Sequence, residues 1–172
     1  MHHRGAQRAL CFSVVNSPSL DRTRGASVRT TAMAAPYTGP IPKPTPETRP
    51  FWEAAKQRRL VIQACDDCGL RYFYPRPLCP GCLSRRVRWI DASGRAVLHT
   101  FVINHRPPRN YPVPPPIVIG MVELEEGARM MSQIVGVTPD PTALRCDMPL
   151  EVVFEDITDE ITLPKFQPRA SA

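Results

Sequence analysis

Apolar and polar positions change their period twice along this chain. From position 89 onward, short apolar or alternating runs are separated by turn-forming residues, which is typical of β-strands. The predicted strands cover residues 94–104, 117–123, 128–135, 150–155 and 161–165. Five strands within about 75 residues predict a five-stranded Greek-key barrel of the OB-fold type over 89–168, with a β-sandwich as the alternative. The protein is therefore expected to be mainly β.

A helical pattern precedes the strands and predicts an N-terminal helix over residues 48–59. Thr48 is a suitable N-cap, because its hydroxyl can accept a backbone hydrogen bond, and Pro50 falls in the first turn, where its missing N–H costs nothing. Phe51 and Trp52 share the apolar side. A helix this short is not stable alone, so its apolar side must pack against another surface. Docking within the chain is the favoured interpretation, and contact with a partner protein is the alternative.

Between the helix and the strands lie two C-x2-C pairs, Cys65 with Cys68 and Cys79 with Cys82. Each pair directs two sulfurs at a common centre from a tight turn, so the two pairs can complete a tetrahedron. The residues between the pairs suffice for a short hairpin, and the flanking apolar runs predict a rubredoxin-like zinc ribbon over 60–88. Four thiolates favour structural Zn²⁺, since no coordination position stays open; iron is the alternative.

Outside these elements the chain has little with which to build a core. Residues 33–47 are rich in proline and predict a linker, and residues 169–172 form a tail. Residues 1–32 are rich in Arg, Ser and Thr and are predicted to be a disordered extension. Their composition also fits a transit peptide. The strong excess of arginine over lysine, typical of a high-GC coding sequence, favours instead a translation start at Met33.

Charge and hydropathy restrict the class of function. No apolar run approaches the roughly 20 residues that cross a bilayer, so a soluble, cytoplasmic protein without membrane contact is expected. Residues 56–88 hold eight basic and two acidic groups, whereas 89–172 hold seven basic and eleven acidic groups. An OB fold that binds single strands needs a positive groove with stacking aromatics. The acidic barrel disfavours this alternative, a zinc-ribbon and OB-fold nucleic-acid-binding protein.

The order of the motifs resembles the family of acyl-CoA-associated zinc-ribbon OB-fold proteins. The resemblance covers residues 40–168 and rests on PFWEAAKQRRL, CDDCGLRYFYPRPLCPGC, SGRAVLHTFVINHRPP, VELEEGARMMSQIVGV, MPLEVVFED and TLPKFQP. It implies a non-catalytic companion of a thiolase-fold enzyme: a thiolase, an acyltransferase or a lipid-transfer-type aldolase. Such a companion forms a hetero-oligomer, stabilises the enzyme and helps to shape the acyl-CoA site that the two share, in lipid or steroid side-chain degradation.

The proline-rich segment 105–116 is the irregular feature with functional promise. Six prolines make it stiff and predict a preshaped loop that projects from the barrel. Arg106 and Arg109 are candidate contacts for CoA phosphates, and Tyr111 is a candidate contact for acyl-CoA or a partner, as are Phe51 and Trp52. An ordinary surface loop is the equal alternative.

Residues with the chemistry of a catalytic site are few. His99 is interpreted as a strand residue, and Cys146, beside Asp147 and just before a predicted strand, is expected to pack inside. The sequence therefore predicts no catalytic residues and no intrinsic activity.

Overall fold

A computed structural model describes residues 37–109 and 111–169, which fall within one compact unit, Ala35–Ala172. The predicted disordered extension, 1–32, lies outside the described residues, as do Cys11 and most of the predicted tail. Within the described part of the chain, no helix has the length and apolar composition that a bilayer crossing requires.

The N-terminal half of the described chain consists of one helix and a three-stranded antiparallel sheet. Helix α1 spans Arg49–Lys56, and strands β1, β2 and β3 span Leu60–Cys65, Arg71–Tyr72 and Val87–Ala92. The strand order is β2-β1-β3, so the strand that follows the helix is the central one. Val87 pairs with Cys65, which holds the end of β1 and the start of β3 side by side.

Thr48 precedes the helix but does not cap it as predicted. Its hydroxyl forms no capping hydrogen bond to the helix; instead the backbone N–H of Thr45 donates to it over 2.9 Å. The residue already has helical backbone angles, with φ −100° and ψ −9°, and is only 3% exposed. The hydroxyl therefore closes the turn before the helix, and the capping prediction is wrong.

The remaining strands close into a barrel, which confirms the predicted OB-type fold and excludes the β-sandwich. The strand order around the barrel is β4-β5-β6-β8-β7, with β6 and β8 parallel and the other neighbours antiparallel. The five strands are β4 (Arg95–Asn104), β5 (Ile117–Leu124), β6 (Arg129–Ile134), β7 (Pro149–Asp156) and β8 (Thr162–Pro168).

One hydrophobic core serves the helix, the ribbon and the barrel. Phe51 from α1 and Ile62 from β1 belong to the same buried cluster as Leu98, Val122 and Phe166 of the barrel. Every residue of β1 is buried, because this strand has the rest of the ribbon on one side and the barrel on the other. Apart from Gln63, which accepts a hydrogen bond from the Arg76 N–H, its apolar run without alternation is the sequence pattern of a strand covered on both faces.

Candidate metal centre and adjoining groove

The four predicted ligands, Cys65, Cys68, Cys79 and Cys82, converge on one point. Their sulfur atoms all lie within 4.8 Å of one another. Cys65 Sγ and Cys82 Sγ are 3.6 Å apart, and so are Cys68 Sγ and Cys79 Sγ, so each close contact joins one turn to the other. A tetrahedral site with metal–sulfur bonds of about 2.3 Å has edges of about 3.8 Å. The sulfur set therefore has the size that a tetrahedral thiolate metal requires.

The two cysteine turns have the same backbone construction. In each, the N–H four residues after the first cysteine donates to that cysteine's carbonyl oxygen: Gly69 to Cys65 over 3.0 Å, and Leu83 to Cys79 over 2.9 Å. Both donors have left-handed backbone angles, with φ +70° for Gly69 and +61° for Leu83. In addition, the Gly81 N–H donates to Cys79 Sγ over 3.4 Å. The turns thus fix the sulfurs in place and supply donors to them.

The surroundings favour thiolate at the end of β1. Backbone hydrogen bonding, principally from Cys68, lowers the pKa of the Cys65 thiol to about 7. Cys65 and Cys79 are buried, whereas Cys68 and Cys82 are exposed at the ribbon surface. Four soft sulfurs in this geometry fit Zn²⁺ or iron and leave no position open for a substrate.

The fifth described cysteine, Cys146, is exposed, so the expectation that it packs inside is wrong. The turn at 146–147 brings Asp147 and Met148 to the edge of β4, where their backbones bond to Leu98. These bonds hold the turn at the barrel surface and leave the Cys146 side chain outside. The residue is far from the four-sulfur site in sequence and takes no part in it.

The proline-rich loop does not project freely along its whole length. Arg106 and Arg109 are exposed. Tyr111, however, is half-buried, and its hydroxyl donates to Gln133 Oε1 of β6 over 3.4 Å. Burial, and the carboxylate of Glu155, raise the pKa of Tyr111. The loop therefore contacts the barrel at Tyr111, whereas residues 114–116 are exposed.

Beside the ribbon, an apolar groove of about 520 Å³ runs along β6. It brings together three of the predicted contact residues, Phe51, Trp52 and Tyr111, and leaves Arg106 and Arg109 outside. Phe51 is 3% exposed and contributes to the core as well, whereas Trp52 is half-buried. The groove is also lined by residues that sequence reasoning did not single out, among them Phe73, Tyr74, Met121, Met131 and Leu163.

A signal for part of this groove is present in the sequence. Along β6, Arg129, Met131 and Gln133 share one face by the period of a strand, and Met131 is 68% exposed in this otherwise polar row. Because single exposed apolar residues are common, Met131 indicates a binding surface only together with the apolar residues that the fold brings beside it. Phe73 and Tyr74 carry no such signal, because their place in the groove depends on how the ribbon packs on the barrel.

The fold and the site together define a class of protein, a four-cysteine ribbon joined through a shared core to an OB-fold barrel. The family model of the ChsH2 rubredoxin-like zinc ribbon domain matches residues 52–88, and that of the ChsH2 C-terminal OB-fold domain matches residues 89–155. A DUF35 domain-containing scaffold protein of Methanocaldococcus jannaschii is 34% identical over 63% of this chain and 77% of its own length. The chain belongs to the DUF35 family of ChsH2-type zinc-ribbon OB-fold proteins.

Two further relatives are larger proteins. A probable enoyl-CoA hydratase alpha subunit of Thermomonospora curvata is 39% identical over 69% of this chain, and the 3-oxo-4,17-pregnadiene-20-carboxyl-CoA hydratase alpha subunit of Mycobacterium tuberculosis is 34% identical over 69%. The matched segment makes up only 36% and 37% of these relatives. Among solved structures, a chain of the Ltp2-ChsH2(DUF35) aldolase superposes with a TM-score of 0.66 and 34% identity, over 74% of this chain and 98% of that one.

Proposed function

We propose that this chain is a non-catalytic accessory subunit that binds a thiolase-fold enzyme in a hetero-oligomer, stabilises it and helps to shape its acyl-CoA site. The likeness to ChsH2(DUF35) in the structure of its aldolase with Ltp2 is the observation that carries this proposal, because it spans 98% of that chain. The scaffold and CoA-hydratase names of the relatives support an accessory role in acyl-CoA chemistry. The partner is a thiolase, an acyltransferase or a lipid-transfer-type aldolase of lipid or steroid side-chain degradation.

In this proposal the four cysteines hold a structural Zn²⁺ ion. The size of the sulfur set and its lack of an open position support a structural metal, and the match to a zinc-ribbon family supports zinc over iron. The ion would supply folding energy to the ribbon and no chemistry to the reaction. The ordered ribbon would in turn keep β1 in a fixed position against the barrel.

The distribution of reactive side chains supports the absence of intrinsic catalysis. His99 and His105 are both exposed, on β4 and in the loop after it. Within residues 37–109 and 111–169, no hydrogen bond joins either histidine to an acid, a hydroxyl or Cys146. Acid–base and nucleophilic catalysis need such partners within hydrogen-bond reach.

Nucleic-acid binding is the less favoured function on electrostatic grounds. In the ribbon, Arg88 pairs with Asp66 over 2.7 Å, and Arg86 pairs with Asp67. These pairs neutralise part of the basic surface that a phosphate backbone would need. The groove beside β6 is lined by aromatic rings, but its cations Arg129 and Lys165 are paired with Glu123 and Glu155.

The proposed function is tested by reconstitution with a thiolase-fold enzyme whose gene lies next to the gene for this protein. We expect the two purified proteins to elute together in size-exclusion chromatography and the enzyme's Tm to rise by several degrees, because a partner that binds only the folded state stabilises it. An isolated enzyme with the same Tm and elution volume in the presence of this chain would contradict the proposal. Salt-dependent binding of random oligonucleotides would favour the alternative.

A second test concerns Arg106 and Arg109, proposed as contacts for CoA phosphates. In the reconstituted complex, the double substitution Arg106→Gln and Arg109→Gln is expected to raise KM for acyl-CoA roughly threefold to tenfold with kcat unchanged, because exposed charge-assisted hydrogen bonds are worth a modest amount each. The matched control is Arg145→Gln, which removes another exposed arginine. Equal KM values for the double variant and the control would contradict the assignment.

A further inference from the structure

We propose that the groove beside β6 binds the uncharged acyl chain of an acyl thioester, and that this subunit binds it without a partner enzyme. The inference rests on the proposed function for the source of the ligand, but it assigns to this subunit a binding site of its own. The groove volume of about 520 Å³ lies within the range of roughly 300 to 1,000 Å³ that is usual for small-molecule sites.

The lining of the groove is apolar on both sides. Trp52, Phe73 and Tyr74 contribute from the helix and the ribbon, and Met121, Met131 and Leu163 contribute from the barrel. Along β6 the lining runs from Arg129 to Gln133, a length of about 13 Å at the usual rise of a strand. A largely apolar surface of this length suits an extended hydrocarbon chain.

The charges at the groove disfavour an anionic ligand group. Arg129 and Lys165 are its two cationic lining residues. Arg129 Nε donates to Glu123 Oε2 over 2.7 Å, and Lys165, only 5% exposed, pairs with Glu155. Both cations are thus neutralised by carboxylates of this chain. A free carboxylate or a phosphate would meet no unpaired cation among the described lining residues, whereas an uncharged chain needs no such partner.

The methionines give the groove the adaptability that chains of different length require. Met121 and Met131 lie directly opposite each other in the β5–β6 ladder. Met131 is 68% exposed, so a large apolar side chain faces water unless a ligand covers it. Unbranched thioether side chains change rotamer easily and fit irregular apolar surfaces.

The test uses the full chain and saturated acyl thioesters of N-acetylcysteamine, from butanoyl through hexanoyl to octanoyl, measured by isothermal titration calorimetry. We expect one saturable site whose Kd falls about tenfold for each added pair of methylenes, since each buried methylene adds a similar increment. Free CoA, which lacks the chain, is expected not to compete. Affinity that does not change with chain length, or competition by free CoA, would overturn the inference.

Substitutions locate the site. Met131→Glu is expected to weaken octanoyl binding at least about tenfold, because it places a carboxylate against the chain, while Met131→Leu retains binding. The matched control is Val102→Glu, at another exposed apolar position of the barrel, 58% exposed and outside the groove. Equal affinities for Met131→Glu and Val102→Glu would overturn the assignment. If Met131→Glu abolishes enzyme association while the wild-type chain binds no thioester, the groove is a protein-docking surface and the acyl-chain inference is wrong, with the accessory function intact.

Discussion

Replacement of Cys82 by serine is expected to release the metal, unfold the ribbon and lower the stability of the whole described unit. In small zinc domains the apparent binding free energy, about 10 to 16 kcal/mol at pH 7, is largely folding free energy. Although β1 is held by the shared core, the two cysteine turns have little apolar support of their own: among the described residues, the buried cluster around the sulfurs holds Cys65, Tyr72 and Cys79, with Val87 packed against it. Metal content by elemental analysis, near-ultraviolet circular dichroism and thermal denaturation measure the effect. A chelator added to the wild-type chain is expected to act in the same direction.

Cys146→Ser is the matched control for this experiment. Both Cys82 and Cys146 are exposed cysteines, but only Cys82 belongs to the four-sulfur set. The control is expected to keep one equivalent of metal and the wild-type Tm. Folded, reduced wild-type protein without bound metal would refute the metal site itself, and iron in place of zinc in the elemental analysis would refute the choice of ion.

Phe166→Ala is expected to cost about 3 to 5 kcal/mol of the free energy of unfolding, the usual range for a large aromatic residue in a core. Phe166 is fully buried and lies where the barrel closes, paired with Ile134 of β6 and with Val152 of β7. Its carbonyl oxygen also accepts a hydrogen bond of 2.8 Å from the Val135 N–H. Urea denaturation of the metal-loaded protein measures the loss.

Val102→Ala provides the comparison for Phe166→Ala. Val102 lies on β4 with 58% of its surface exposed, so its truncation is expected to change the free energy of unfolding by no more than about 0.5 kcal/mol. If the two substitutions cost the same, Phe166 does not hold the closure of the barrel together.

The strands and the convergence of the four cysteines were predictable from the sequence because each depends on local patterns. Strand β5, for example, is a run of apolar residues that ends at the turn Glu125–Gly127, and the predicted 117–123 differs from the observed Ile117–Leu124 by one residue. Each C-x2-C spacing predicts a tight turn that directs two sulfurs to one side. The four sulfurs of Cys65, Cys68, Cys79 and Cys82 then converge once the hairpin brings the two turns together.

The features that were not predictable depend on contacts between distant parts of the chain. Thr48 was a suitable cap by residue type, but the Thr45 N–H competes for its hydroxyl. Tyr111 folds back because Gln133, 22 residues later, offers an acceptor. The groove combines the helix, the ribbon and three barrel strands, and no segment of sequence contains that combination.

The burial of every residue in β1 has a consequence for any attempt to divide the molecule. The two family matches meet between positions 88 and 89, which suggests a place to cut or to exchange modules. A barrel fragment made at that point would expose the apolar surface against which Ile62 and Phe51 pack in the whole chain. Such an exposed apolar surface would favour aggregation. An exchange of modules between relatives should therefore transfer the segment from α1 through β3 together with the barrel residues that pack against it.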